Sequence, residues 1–432
     1  MPMSRDQVRE ILRRLTRHGS IDDLAKRLEP VSPAEHPLPH DVPHPSDSTS
    51  EGRDRRLAYL AERGFDVPHL AGRAGPPDPA DLAGNIENFI GMAQIPVGLA
   101  GPLRVHGVHA HGDYLVPLAT TEATLVASYH RGARLVSHAG GASALVTTEH
   151  VQRAPGFVFA RLVEASRFAA WVLDRFDRFQ EITAARSRHA KLLDVATHIE
   201  ANHVYLIFSF HTGDAAGQNM VTLCTEAICE EIAATTPVKP HSWYLESNMS
   251  GDKKATVLSF LQARGRRAMA ETLLPRKLVV RGLGTTPERM DEYWRLSFVG
   301  GAQTGSIGVS GHIANGLAAL FVACGQDVAC VSEASVGITR LERTAEGDLY
   351  CSVTLPNLIV GTVGGGTHLP TARECLRILH CEGAEEGREV ASKFAEIIAA
   401  VALAGEISIV GAICASEFAS AHEHMRRPVD PT

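Results

Sequence analysis

The chain has 432 residues, 44% hydrophobic and 21% charged, a balance that excludes global disorder and predicts two or three domains. A net charge of −7 and a sequence pI near 6.3 exclude bulk nucleic-acid binding, so an anionic ligand must meet locally placed basic residues. Eight cysteines form no Cys-x-x-Cys pair, which excludes a zinc ribbon and predicts reduced thiols, hence a cytoplasmic location.

Residues 1–30 carry a short amphipathic helical pattern, and the first 25 are too charged for a secretory signal. Residues 31–50, rich in Pro, His and Ser, predict an extended linker. After a Pro/Gly cluster at 74–84, short apolar runs lead to a helical stretch, ATTEATLVASYHRGARLV, with Thr121 and Glu122 at its start. Alternation over 156–164 predicts a strand, SRFAAWVLDRF a helix and HVYLIFSF (203–210) a second strand. TGDAAGQNM (212–220) then opens into the helix VTLCTEAICEEIAA, completing a small α+β unit of ferredoxin-like type. The chain is predicted helical again over 253–273, apolar and Gly-punctuated from Gly300 to Ala329, and extended near Leu349–Val353 and Leu358–Val363. The C-terminal helix is predicted over roughly 386–425. Within it, Phe394 to Ile413 carries Glu396 and Glu406, the mark of a buried core helix and not of a membrane span.

Several segments have a chemical reading beside a plain one. Gly213 and Gly217 let backbone approach a ligand, and a helix N-terminus follows, but a tight turn explains the same spacing. No Gly-x-Gly-x-x-Gly fingerprint occurs in the right context. Asp252, Lys253 and Lys254 in SGDKKA read either as a solvated pair or as a lysine aimed at a developing oxyanion. His312 and Asn315 are i,i+3 neighbours on a mostly apolar helix. Asp327 at its end needs a cation such as Lys253, unless the helix emerges into solvent after Gly325. Four glycines in GTVGGGT (361–367) mark a hinge or a backbone–ligand contact.

Taken in order, ENFIGMAQIPVGLAGPL (87–103), TTEATLVAS, TGDAAGQNM, SGDKK, NGLAALFVACGQD (315–327), LYCSVTLPNLIVGTVGGGT (349–367) and LAGEISIV (403–410) resemble the signature segments of 3-hydroxy-3-methylglutaryl-CoA reductases. The resemblance spans about 85–427 and is to the biosynthetic, NADPH-dependent class, in a form without a membrane anchor like the soluble bacterial ones. It implies catalytic roles for Glu122, Lys253, Asp327 and His422. It implies substrate contacts from Arg153, Asn219, Asp252, Lys254 and Asn315, with His312 nearby. It implies dinucleotide contacts from Ser187, Arg188 and His189 and from Asp214, Ala215, Gly217 and Met220, with Arg188 suited to a 2′-phosphate. Departures are Ala123 after the catalytic glutamate, Glu246 where some members have serine, His189 beside the nucleotide, and the segment 300–312.

The implied organisation is an N-terminal segment (1–85), a split large substrate and catalytic domain (86–153 and 246–432), and an inserted small NADP-binding domain (154–245). The implied reaction is reduction of 3-hydroxy-3-methylglutaryl-CoA to mevalonate and CoA with two NADPH. It would take place in a homodimer or tetramer whose active sites lie at the dimer interface, without metal, membrane or nucleic acid. Lys253 would stabilise the oxyanion, and Asp327 would hold Lys253 and couple to Glu122. A second carboxylate nearby would keep Glu122 protonated as general acid, and His422 would protonate the leaving thiolate. Rival readings are NAD-dependent oxidation of mevalonate on the same fold, a non-catalytic CoA-binding module, and a metalloenzyme prompted by 21 histidines.

Overall fold

The computed structural model describes residues 5–17 and 19–416. Two short helices, α1 (Arg5–Leu15) and α2 (Ile21–Leu28), come first; Ser20 and Asp23 close a reciprocal capping box at the start of α2. The expected linker has no helix or strand before Ser50, but it is not a free tether. Arg104 donates to the carbonyls of His36 (2.7 Å) and Pro37 (3.1 Å), the Tyr59 hydroxyl donates to His40 O, and Val42 is buried. Proline-rich backbone leaves carbonyls without ladder partners, and here buried donors of the body take them up. A third helix, α3 (Ser50–Ala61), sets Tyr59 and Leu60 with Phe65 and Val67 against Leu115 in a satellite core.

Strands β1 (Val97–Gly107) and β2 (His111–Ala119) pair antiparallel and lead into α4 (Leu125–His138) and β3 (Ala142–Arg153). The next unit comprises β4 (Gly156–Val158), α5 (Leu162–Leu173), α6 (Phe176–Arg186), β5 (Lys191–Glu200), β6 (His203–His211), α7 (Gln218–Thr235) and β7 (Ser242–Tyr244). Its strands lie in the order β7-β4-β6-β5, all antiparallel. That is the β-α-β-β-α-β ferredoxin-like arrangement, with the first crossover helix divided in two. The strand expected over 156–164 is only Gly156–Val158, because Leu162 already begins α5.

Residues 253–273 are not a helix. A single turn, α8 (Leu258–Leu261), precedes strand β8 (Gly265–Leu274), which lies between β3 and β10 (Leu349–Leu358) in the sheet. Ala, Met, Glu and Leu favour a helix, yet burial alternates along β8 and two neighbouring strands fix it extended. After β8 come α9 (Arg276–Leu283), α10 (Pro287–Thr304), α11 (Ile313–Ala323), α12 (Val331–Ala334), β9 (Ile338–Arg343), α13 (Pro370–Ile378) and α14 (Val390–Cys414). The strand expected at 349–353 is β10, which runs on to Leu358, but the strand expected over 358–363 does not form beyond Leu358: only Val363 makes an isolated bridge, to Ala215.

Helix α14 is long and apolar enough to cross a membrane by length and composition, but 83% of its most apolar window is buried inside the protein. Its two acids anchor loops. Glu396 Oε2 accepts the N–H groups of His109 (2.8 Å) and Ala110 (2.7 Å). Glu406 accepts from Gly311 N (2.6 Å), His312 N (2.7 Å) and Thr339 Oγ1 (2.8 Å), and so fixes the entry to α11. All eight cysteines are buried free thiols.

Candidate active site

Lys253 is held at both ends. Its Nζ lies 2.9 Å from Asp327 Oδ2, and its backbone N–H donates to Glu333 Oε1 at 3.2 Å. Its φ of +56° is left-handed, a conformation that costs a residue with a side chain and is sustained here by those contacts. Asp327 follows the end of α11, so the expected cation–carboxylate partnership forms between segments far apart in sequence. Both side chains remain partly open to solvent. The hydrogen bond to Asp327 raises the Lys253 amine above the ordinary lysine value. Burial works against the Asp327 charge, but Lys253 outweighs it and leaves that carboxyl below its ordinary value. The pair is therefore ionised at neutral pH.

Three residues that the sequence did not single out support this pair. Gln218, the first residue of α7, donates from Nε2 to Asp327 Oδ2 and to Cys330 Sγ, both at 3.2 Å. Arg264, 1% exposed, pairs with Glu333 Oε1 (2.6 Å) and Asp252 Oδ1 (2.8 Å). Burial pushes the Glu333 carboxyl up, against the opposing pull of Arg264. Asp252 is also paired with Arg153 (3.1 Å), which pairs in turn with Glu246 (3.1 Å). Acids and guanidinium groups thus alternate from Glu246 to Glu333 beneath the lysine. Lys254 is exposed, and its ammonium donates to the Asp252 carbonyl at 3.0 Å.

Glu122 lies elsewhere. It is exposed at the entry to α4, and Asn315 Nδ2 donates to its Oε1 at 3.4 Å. His312, beside Asn315, is turned inward: Nε2 meets Gly405 O at 2.9 Å and the ring packs on Tyr129. Asn315 lies in the first turn of α11 and Asp327 beyond its last residue, so on the order of 12 Å of helix, from Asn315 to Ala323, stands between the residue that holds Glu122 and the end that leads to Asp327. Within one chain Asp327 is bonded by Lys253, Gln218 and Ala329, and Glu122 by Asn315, so no hydrogen bond joins the two carboxylates. His422 lies outside the described residues.

The segments expected to meet a dinucleotide do come together. Ser187 Oγ lies 3.1 Å from Met220 Sδ and accepts the N–H groups of His189 and Ala190. Arg188 and His189 are exposed on this turn, and Asn219 is exposed on the first turn of α7. Gly217 caps α7 at φ +75° with no side-chain hydrogen bond, leaving the first N–H groups of an 18-residue helix open. A Cβ at Gly217 would overlap the Thr212 side chain, and one at Gly361 would overlap the backbone of Ala215 and Ala216. Glycine at both places lets the 212–217 turn lie flat against 361–363, where Ala215 bridges Val363 and Thr362 N donates to Asp214 O. The Asp214 carboxylate points into the body and accepts Ala391 N at 2.8 Å. Open backbone donors on a glycine-cleared turn, with an exposed arginine on the adjoining loop, fit the phosphates of a dinucleotide.

A family profile described as hydroxymethylglutaryl-coenzyme A reductase matches residues 52–427. A 3-hydroxy-3-methylglutaryl-coenzyme A reductase of Pyrococcus abyssi is 43% identical over 378 residues, covering 86% of this chain and 92% of the relative. One from Haloferax volcanii is 39% identical over 390 residues, covering 90% and 96%. Among solved structures, a class II 3-hydroxy-3-methylglutaryl-CoA reductase from Streptococcus pneumoniae bound to NADPH has a TM-score of 0.68 at 18% identity, covering 83% of this chain and 96% of that one.

Proposed function

The chain belongs to the hydroxymethylglutaryl-coenzyme A reductase family, and on that premise we propose that it reduces 3-hydroxy-3-methylglutaryl-CoA to mevalonate and free CoA with two equivalents of NADPH. The observation that carries this reading is the Lys253–Asp327 ion pair, hydrogen-bonded by Gln218 on the helix whose open N-terminus suits a nucleotide phosphate. Gln218 thus links the oxyanion-stabilising cation, through Asp327, to the helix of the nucleotide cradle.

Residues 154–245 are assigned as the nucleotide-binding domain, with Ser187, Arg188, His189 and the 214–220 turn holding the dinucleotide and Arg188 taking its 2′-phosphate. A reduced nicotinamide bound there would supply one hydride, so each of the two reductions would draw on its own NADPH. Negative charge then grows on the thioester oxygen, and the Lys253 ammonium is the group that stabilises it. Asp327 and Gln218 fix the direction of that ammonium, while Glu333 fixes the backbone that carries it. Glu122 is assigned as general acid to the alkoxide, and His422 as proton donor to the departing CoA thiolate. Arg153 is already engaged by Glu246 and Asp252, so exposed Lys254, with Asn219 and Asn315, is left to meet the substrate's anionic groups.

Glu122 reaches the Lys253–Asp327 pair only if two copies of the chain combine half-sites. The exposed apolar surface supports this. Ile86, Ile90, Met92, Ile95 and Val97 are all exposed, Ile90 completely, and Pro96 O accepts from Thr120 N two residues before Glu122. Val257, Leu261 and Val328 are exposed beside Lys253 and Asp327. Each half-site therefore lies next to apolar surface that a second copy would cover.

The test is nicotinamide absorbance with purified protein, 3-hydroxy-3-methylglutaryl-CoA and either NADPH or NADH. Oxidation of two NADPH per CoA released, with little use of NADH, is the expected result. Preference for NADH would retain the reaction and refute the role given to Arg188, and no oxidation of either would refute the proposal.

A further inference from the structure

Helix α1 precedes the 52–427 span matched by the family, yet Arg14 reaches from it into the body. Its Nη2 lies 3.0 Å from Glu149 Oε2 and 3.3 Å from Glu389 Oε2. Glu149, on β3, has a side chain 4% exposed, and its other oxygen pairs with Arg266 of β8 at 2.7 Å. Arg266 in turn donates to Gly213 O (2.6 Å) and Val360 O (2.7 Å). Glu389 immediately precedes α14, whose second residue, Ala391, donates its N–H to Asp214 Oδ1. Two routes thus lead from one guanidinium to adjacent residues of the turn that opens α7. Both consume acceptors of that turn and leave the N–H donors of α7 open.

We propose that Arg14 is a positioning residue for nucleotide binding, and that α1 is an intramolecular strap holding the Gly213–Asp214 turn in its binding shape. The inference rests on the reading of that turn as the nucleotide phosphate site. Without Arg14 the fold keeps its other contacts, because Glu149 retains Arg266 and Glu389 retains Arg17 at 3.5 Å and His109 at 3.6 Å. What is lost is the cation between two carboxylates that meet the same nitrogen. Those carboxylates then repel each other, and both clamps on the turn loosen. The Lys253–Asp327 pair lies outside this network, so the chemical step is untouched.

The experiment compares the full-length protein with Arg14→Ala and Arg14→Lys. Amide hydrogen exchange over 212–220 is measured without nucleotide, and NADPH KM and kcat are measured at saturating 3-hydroxy-3-methylglutaryl-CoA. Arg14→Ala should speed exchange in that segment and raise the NADPH KM about fivefold, with kcat changed by less than about twofold and partial recovery in Arg14→Lys. Unchanged exchange over 212–220 would overturn the strap. Faster exchange with an unchanged NADPH KM would uphold the strap and overturn the turn's role in nucleotide binding. A loss confined to kcat would overturn the proposal, since it would place Arg14 in the chemical step.

Discussion

Gln218 couples the two halves of the proposed chemistry. Its amide and the Lys253 ammonium share one oxygen of Asp327, so the rotamer of that carboxylate is set by two donors from different elements. Replacing Gln218 by methionine keeps the length and removes the donor. kcat should fall about tenfold, equivalent to about 1.4 kcal/mol, with the NADPH KM little changed. A variant as fast as the parent would show that Lys253 alone orients Asp327. Lys253→Ala removes the cation assigned to the oxyanion and should lower kcat by about 10²- to 10³-fold; retention of most turnover would sink its assigned role. The partnership of Lys253 with Asp327 was legible in the sequence, because a carboxylate ending an apolar helix needs a cation and the Asp-Lys-Lys run offered one. Gln218 stood inside a recognised motif but carried no mark of its function. Arg264 and Glu333 were illegible: they pair across 69 residues, and a buried ion pair between separate segments leaves no local pattern.

At the level of elements, the same contrast separates what repeated locally from what pairing decided. The ferredoxin-like unit and α14 were readable because strand alternation, a glycine turn and an uninterrupted apolar run are local signals. Strand β8 was not, because its residues prefer a helix and only its neighbours β3 and β10 make it a strand. Helix α14 also carries a pH signature. Burial holds the Glu396 carboxyl up to about 8 from an ordinary 4.5, so the folded state keeps a proton that the unfolded chain releases. Its contribution to stability is complete below about pH 4.5 and is eroded as pH rises to about 8. Urea midpoints measured from pH 5 to 8 should decline less steeply in Glu396→Gln than in the parent. Identical slopes would show that Glu396 does not titrate in that range.

For the whole molecule, the separation of Glu122 from Lys253–Asp327 by the length of α11 makes a single chain chemically incomplete in the proposed reading. Glu122→Gln and Lys253→Ala proteins should each be nearly inactive alone. Mixed and refolded together at equal concentrations, they should recover roughly a quarter of parental activity, because each mixed dimer regains one intact site of two. No recovery would mean that both groups act within one chain. The interface that this arrangement requires was expected from the family resemblance alone; the apolar residues from Ile86 to Val97 carry no sequence pattern that marks them as surface, and only the structure shows them exposed.

The position of α14 also governs how the molecule comes to be folded. It packs on α4, β3, β8 and β10, partners that precede it by up to 280 residues, the separation of hydrogen-bonded Ser128 and Ser408. Such contacts give a high contact order, and the entropy of closing long loops must be met before this packing can form. During synthesis the ferredoxin-like unit can close on its own strands, while the rest of the sheet waits with its apolar face uncovered until residues beyond Val390 emerge. A nascent chain at that stage exposes apolar surface that favours aggregation, so the time before α14 emerges bears on the yield of soluble material.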